Sequence, residues 1–178
     1  GDGTYGELPR ERRVPEFFAT PNELGFEMVL KFGWVNVAYL HERIHTVRLK
    51  KAEEVSNSFP YNVLKMSGNE ELGIVASGVA RNYVEEATQK LGLRAAFLQV
   101  GMPFPLPAQK AEKLLKTVRR VVVFEETDPV VEDELRSLAK DVAPEVEILG
   151  KRTGHTPVSG ELNVSKVMVS LAKIVGRE

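Results

Sequence analysis

The sequence predicts an α/β protein, a three-layer α/β/α sandwich built on a mainly parallel sheet. Short apolar runs rich in β-branched residues recur four times from Leu72 onward, as strands buried on both faces do. A turn and an apolar stripe at helical spacing follow each run. Successive strand–helix units require crossovers, and crossovers give parallel strands with helices on both faces.

The first of these units organises the rest. Leu72–Ala76 is the strand, Ser77-Gly78 breaks it, and Val79, Ala80, Tyr83, Val84 and Ala87 mark the helix. Leu91-Gly92 ends that helix, with glycine as the stop. Arg94–Val100 is the second strand. Gly101-Met102-Pro103-Phe104-Pro105-Leu106-Pro107 is a stiff loop, and Pro107 suits the first turn of a helix running to about Thr117. Arg120–Phe124 is the third strand. The polar turn 125–129 follows, with Thr127 or Asp128 as N-cap and Pro129 starting a helix whose stripe is Val130, Val131, Leu135, Leu138 and Ala139. Glu145–Leu149 is the fourth strand, residues 150–163 form a long loop, and Val164–Val175 is the closing helix.

Upstream the pattern changes. Residues 1 to about 33 show no sustained period and read as an irregular arm. Its cluster Arg10, Glu11, Arg12 and Arg13 reads as a solvated turn, with phosphate binding as the alternative. Trp34 to about Asn57 reads as a helix with Val37, Leu40, Ile44, Val47, Ala52 and Val55 on one face. Tyr61–Met66 is a possible strand. The expected division is therefore an N-terminal arm and helix, residues 1–60, and an α/β domain, residues 61–178.

Composition narrows the function classes. A formal net charge of −1 gives no global field for nucleic acid or an anionic membrane. No apolar run approaches the roughly 20 residues that span a bilayer, and no signal peptide opens the chain. Cysteine is absent, so disulfides, thiolate chemistry and Cys-held iron–sulfur clusters are excluded within these residues. This fits a cytoplasmic protein. The opening Gly1-Asp2-Gly3 fits an excised or processed piece.

Four constellations could carry chemistry. His41-Glu42-Arg43-Ile44-His45 is HExxH on an expected helix, where two His share a face and can bind zinc, with Glu42 as base. No third ligand stands at the spacing a metallopeptidase needs, so two surface histidines are the simpler reading. In Ser77-Gly78-Val79-Ala80 the small residues let the strand turn sharply into its helix, with phosphate contact at the helix N-terminus as the alternative, although no G-x-G-x-x-G accompanies them. Of Glu125 and Glu126, one is expected in solvent and the other in a loop or cap hydrogen bond, with acid–base work as the alternative. Gly150-Lys151-Arg152-Thr153-Gly154-His155-Thr156 reads as a solvated surface loop, with its two cations, two hydroxyls and His greeting an anionic ligand as the alternative.

Taken together the blocks GIVASGVARNYVEEA, VGMPFPLP, VVVFEETDPVVEDELRSLA and EILGKRTGHTPVSGEL resemble the middle domain of the alpha subunit of indolepyruvate:ferredoxin oxidoreductase, within the 2-oxoacid:ferredoxin oxidoreductase family. The resemblance implies a transketolase C-terminal-like fold: a five-stranded sheet with one antiparallel edge strand, Tyr61–Met66, plus an N-terminal helical extension. It implies that the complete enzyme decarboxylates an aryl pyruvate oxidatively, with coenzyme A and ferredoxin as acceptors. Thiamine diphosphate, Mg²⁺ and 4Fe–4S clusters then belong to other domains, and this piece is a structural and assembly domain, inactive alone. Its implied partners are those other domains, the beta subunit and, through the parent enzyme, ferredoxin, with no nucleic acid and no membrane. No catalytic or metal-binding residue is expected here. Candidate ligand or interface residues are Ser77, Gly78, Met102, Pro103, Phe104, Pro105, Glu125, Glu126, Gly154 and His155. The alternatives are a module binding coenzyme A or a phosphate compound at the strand ends, and a zinc hydrolase through His41, Glu42 and His45.

Overall fold

The computed structural model describes residues 40–70 and 72–177. The chain divides into two compact units between Arg48 and Leu49. In the first unit Ile44–Arg48 forms a π-helical turn with no buried residue. The expected residues 34–39 of the long helix, and the arm before them, lie outside the described residues.

The second unit holds five strands: β1 (Val63–Lys65), β2 (Leu72–Ser77), β3 (Ala95–Val100), β4 (Arg120–Phe124) and β5 (Glu147–Leu149). Their spatial order is β1-β3-β2-β4-β5. β1 pairs antiparallel with β3, and the other pairings are parallel. This is the mixed five-stranded sheet with one antiparallel edge that the resemblance implied. The helices are α1 (Leu49–Ser58), α2 (Ala80–Leu91), α3 (Ala108–Leu115), α4 (Val130–Val142) and α5 (Val164–Ile174).

Strand alternation sends successive side chains to opposite faces, and both faces are covered. Val75, Leu98, Val121 and Val123 pack with Leu114, Leu115, Val131 and Leu135 of α3 and α4. Ile74, Ala76, Val122 and Phe124 pack with Ala80, Val84, Val167 and Leu171 of α2 and α5. Three layers result, with β2 in the middle. The chain leaves β2 for β3 through α2 on one face. It then runs from β3 to β4 and on to β5 through α3 and α4 on the other. The direction reverses between β2 and β4, where open α/β sheets form a crevice at their carboxyl edge.

The reading of Val55 as part of a buried stripe needs correction. Val55 is 46% exposed, and its neighbour Ser56 is fully buried. Ser56 Oγ donates to the Pro105 carbonyl at 2.6 Å, so a polar contact rather than the apolar stripe seats α1 on the loop after β3. Ile44 and Val47, at 40% and 55%, are also exposed.

Candidate functional site

The carboxyl edge gathers the loops that follow β2, β3, β4 and β5, and with them all ten candidate residues. They separate into two groups with different physics.

On the β1/β3/β2 side the surface is open. Ser77 is half-buried, and Gly78 is exposed with φ 58°. The Gly78 N–H donates to the Val100 carbonyl at 3.4 Å, so this amide is turned into the sheet. Val79, the N-cap position of α2, accepts no side-chain hydrogen bond there. Pro103 and Phe104 are exposed, Met102 is half-buried, and Pro105, Leu106 and Pro107 are buried. The loop is thus rooted at its end and presents Phe104, 53% exposed, at its tip. Phe104 is therefore not a plug in the core. Phe59 and Tyr61 stack edge to face, with ring centroids 5.5 Å apart. With Gly78, Val79, Gly101 and the polar Arg81 and Asn82 they line a shallow groove of about 400 Å³.

Asn62 holds this half together. Its side chain is buried, and Oδ1 accepts from the Gly101 and Met102 N–H groups at 2.8 and 3.0 Å. Nδ2 donates to the Ser56 carbonyl at 2.8 Å. The Asn62 carbonyl accepts from Lys110 Nζ at 2.6 Å. Gly101 is required by close approach, since a Cβ there would stand 2.7 Å from Tyr61 Cβ. The sequence offered no signal for Asn62, because a polar residue beside Pro60 and Tyr61 reads as an ordinary turn.

The β4/β5 side is closed by internal charge pairing. Buried Glu125 accepts from the Val131 and Glu132 N–H groups at 2.8 and 2.9 Å, capping α4 from outside. This replaces the expected cap from Thr127 or Asp128. Burial raises the Glu125 pKa above its ordinary value, against the lowering effect of those two hydrogen bonds and of Lys151. Exposed Glu126 accepts from the Leu162 N–H at 3.4 Å. One carboxylate in a cap and one at the surface is the division the sequence pattern suggested.

Glu132, 1% exposed, binds Arg136 through two guanidinium nitrogens at 3.0 and 2.8 Å and receives the Arg152 N–H. Arg136 also donates to the Ile148 carbonyl at 2.7 Å. Lys151 Nζ donates to the Thr127 carbonyl. The Arg152 guanidinium forks onto Asp133 at 3.0 and 2.6 Å, which lowers the Asp133 pKa. The cations that could have greeted an anion are therefore engaged with α4 and the turn before it. Gly150 approaches Glu132 so closely that a Cβ would overlap its carboxylate. Gly154 takes φ 72° and closes the short turn Lys151–Thr153. Exposed His155 shares a 2.9 Å hydrogen bond between Nδ1 and Thr153 Oγ1.

In the other unit, His41 and His45 lie with ring centroids 4.3 Å apart. Among the described residues no group of three or more His, Cys, Asp or Glu could hold a metal ion, so HExxH lacks a third protein ligand there. No described helix is long and apolar enough to cross a membrane.

The strand order, the antiparallel edge and the two helical layers define a transketolase C-terminal-like α/β domain. Solved structures agree on the fold. A split-gene transketolase (an inactive beta4 tetramer) superposes with a TM-score of 0.52 and 18% identity, covering 66% of this chain and 43% of that one. A 2-oxoglutarate:ferredoxin oxidoreductase from Magnetococcus marinus, solved with 2-oxoglutarate, coenzyme A and succinyl-CoA bound, gives a TM-score of 0.54 and 16% identity. It covers 80% of this chain and 24% of that one.

No family model matches the sequence. Among characterised relatives, the indolepyruvate oxidoreductase subunit IorA of Pyrococcus abyssi (strain GE5 / Orsay) is 33% identical over 184 residues, covering 100% of this chain and 27% of that subunit. The IorA of Thermococcus kodakarensis (strain ATCC BAA-918 / JCM 12380 / KOD1) is 29% identical, again over the whole chain and 27% of the subunit. Along its length the chain is a homologue of a segment of indolepyruvate oxidoreductase subunit IorA, and it spans about a quarter of the relatives it matches.

Proposed function

We propose that this chain is the middle domain of the alpha subunit of a thiamine-dependent indolepyruvate:ferredoxin oxidoreductase, and that its own work is assembly rather than chemistry. The supporting observation is the alignment, which covers all of this chain and 27% of IorA. The complete enzyme would convert an aryl pyruvate to its acyl-coenzyme A, passing electrons to ferredoxin. Thiamine diphosphate would supply the carbanion chemistry, with Mg²⁺ and 4Fe–4S clusters, all in other domains. The present residues do not fit these groups: there is no cysteine, and no described acidic or His cluster suits a metal.

In this reading residues 61–178 form the domain, and residues 1–60 form the arm and helix that join it to a neighbour. The partners are the other domains of the subunit and the beta subunit, and ferredoxin is reached only through the whole enzyme. The enzyme works in the cytoplasm. The docking face is the open half of the carboxyl edge, where Tyr61, Val79 and Phe104 are 60%, 44% and 53% exposed on a rooted frame. An aromatic on a fixed loop loses little entropy on docking.

Two measurements test this. The 178-residue chain mixed with aryl pyruvate, thiamine diphosphate, coenzyme A and ferredoxin should give no turnover, and turnover would overturn the assembly role. Ultracentrifugation with the remainder of an IorA subunit should show a complex that Phe104→Ala weakens at least tenfold. Unchanged association would remove the docking face.

A further inference from the structure

We propose that a cleft at the opposite, amino edge of the sheet binds a phosphoryl group through Arg94, Arg120 and Arg177. The first residues of three adjacent strands meet there, since Leu72 of β2 is in register with Ala95 of β3 and with Arg120 of β4. The ends of α2 and α5 complete the walls through Gly92 and Val175. The space, about 300 Å³, also takes in Asn69. It is at the small end of the range for ligand sites, enough for a diphosphate-sized head.

The three guanidiniums come from different elements. Arg120 Nη1 donates to the Ile174 carbonyl at 3.1 Å, and Arg177 Nη1 donates to the Leu91 carbonyl at 2.7 Å. These bonds orient each guanidinium while using one of its five N–H donors. Among the described residues none of the three forms an ion pair with a carboxylate, whereas Arg136 and Arg152 each do. Glu70, beside Asn69 in sequence, is committed to the Ser67 and Gly68 N–H groups.

Charge decides between two roles. Capping two helix C-termini neutralises about half a negative charge at each. Among the residues that line the cleft, three guanidiniums therefore leave a positive excess, with Glu147 of β5 in register with Arg120 beside it. An anionic phosphoryl group matches that excess in sign, and the planar fork of Arg matches its oxygens in pairs. This site is independent of the docking face.

Calorimetric titration of the 178-residue chain with inorganic pyrophosphate at low salt tests it. One saturable site is expected. Arg94→Ala should weaken it at least tenfold, and Arg94→Glu should abolish it. Arg94 is exposed, so these variants keep the fold, which circular dichroism checks. Arg177→Ala is the second probe and should also weaken binding at least tenfold. Inorganic phosphate should bind the same site more weakly than pyrophosphate, while citrate should not compete. Absence of saturable binding, binding unaffected by Arg94→Ala and Arg177→Ala, or equal competition by citrate would each overturn the proposal.

Discussion

The two halves of the carboxyl edge start from the same plan, a parallel strand that ends in a loop leading to a helix. On the β4/β5 side the loops carry complementary charges, and these find one another. Glu132 meets Arg136 and the Arg152 amide, Asp133 meets Arg152, and Lys151 meets the Thr127 carbonyl. On the β1/β3/β2 side the loop after β3 is held from beneath by one neutral amide, Asn62, and its outward residues Pro103 and Phe104 are apolar. A charged loop can close on itself, whereas a neutral loop rooted from below stays open and presents what it carries. The difference argues for a docking role for one half and a structural role for the other.

The sharpest way to break the closed half is Glu132→Ala. It would leave Arg136 and the Arg152 amide without their buried acceptor. Removing one partner of a buried pair costs about 3 to 5 kcal/mol, and partly exposed Arg136 puts the expected loss near the lower end, about 3 kcal/mol. Urea unfolding measures it, and a loss below about 1 kcal/mol would mean that the network is ornamental.

Asn62→Ala tests the open half. Two backbone N–H groups, of Gly101 and Met102, and the Ser56 carbonyl would lose their partner. Unsatisfied buried groups cost about 1 to 3 kcal/mol each, less where water can enter, so a total of about 2 kcal/mol is expected. Hydrogen exchange should accelerate at Gly101 and Met102 while β4 stays protected. Uniform acceleration would show that Asn62 serves the whole fold rather than this loop.

Glu125 gives a pH-dependent contrast. Its pKa is raised from 4.5 in the folded protein, chiefly by burial. The native state therefore holds the proton more tightly than the unfolded chain. That contribution to stability is fully present below pH 4.5 and is lost as pH rises through the folded pKa. The stability of the wild type relative to Glu125→Gln should decline across that window and then level off. A relative stability that grew with pH would show that the two helix N–H groups outweigh burial.

Much of this was legible in the sequence, and the reason is period. Strand β4 falls on Arg120–Phe124 as the apolar run predicts, because a doubly buried strand needs five consecutive apolar or amphipathic residues. Helix α2 stops at Gly92, which takes φ 59° as a helix-stop glycine does. The contacts that distinguish the two halves have no period. Arg152 and Asp133 are 19 residues apart, and Asn62 reaches Gly101 across 39. Such pairs form only after the sheet has set strand order, so the sequence leaves an anion site as the alternative to a solvated GKRTGHT loop and shows neither contact. The exposure of Val55 is hidden in the sequence for the opposite reason. An apolar residue at helical spacing looks buried until a neighbour, here Ser56, is found to make the tertiary contact.

The smallest expected effect on stability belongs to the residue with the largest expected effect on association. Phe104 is half exposed at the tip of a loop whose base is fixed by Ser56 and Asn62. Trimming it to Ala removes little buried surface, so unfolding should shift by less than about 0.5 kcal/mol. A docking anchor behaves differently, because truncation of a central aromatic costs about 2 kcal/mol or more of binding. The ratio of the two effects is the informative quantity. Asn62→Ala, which loosens the base without touching the ring, should weaken association less than Phe104→Ala while costing more stability. If Asn62→Ala instead weakens association more, the shape of the loop rather than its aromatic tip is what the partner reads.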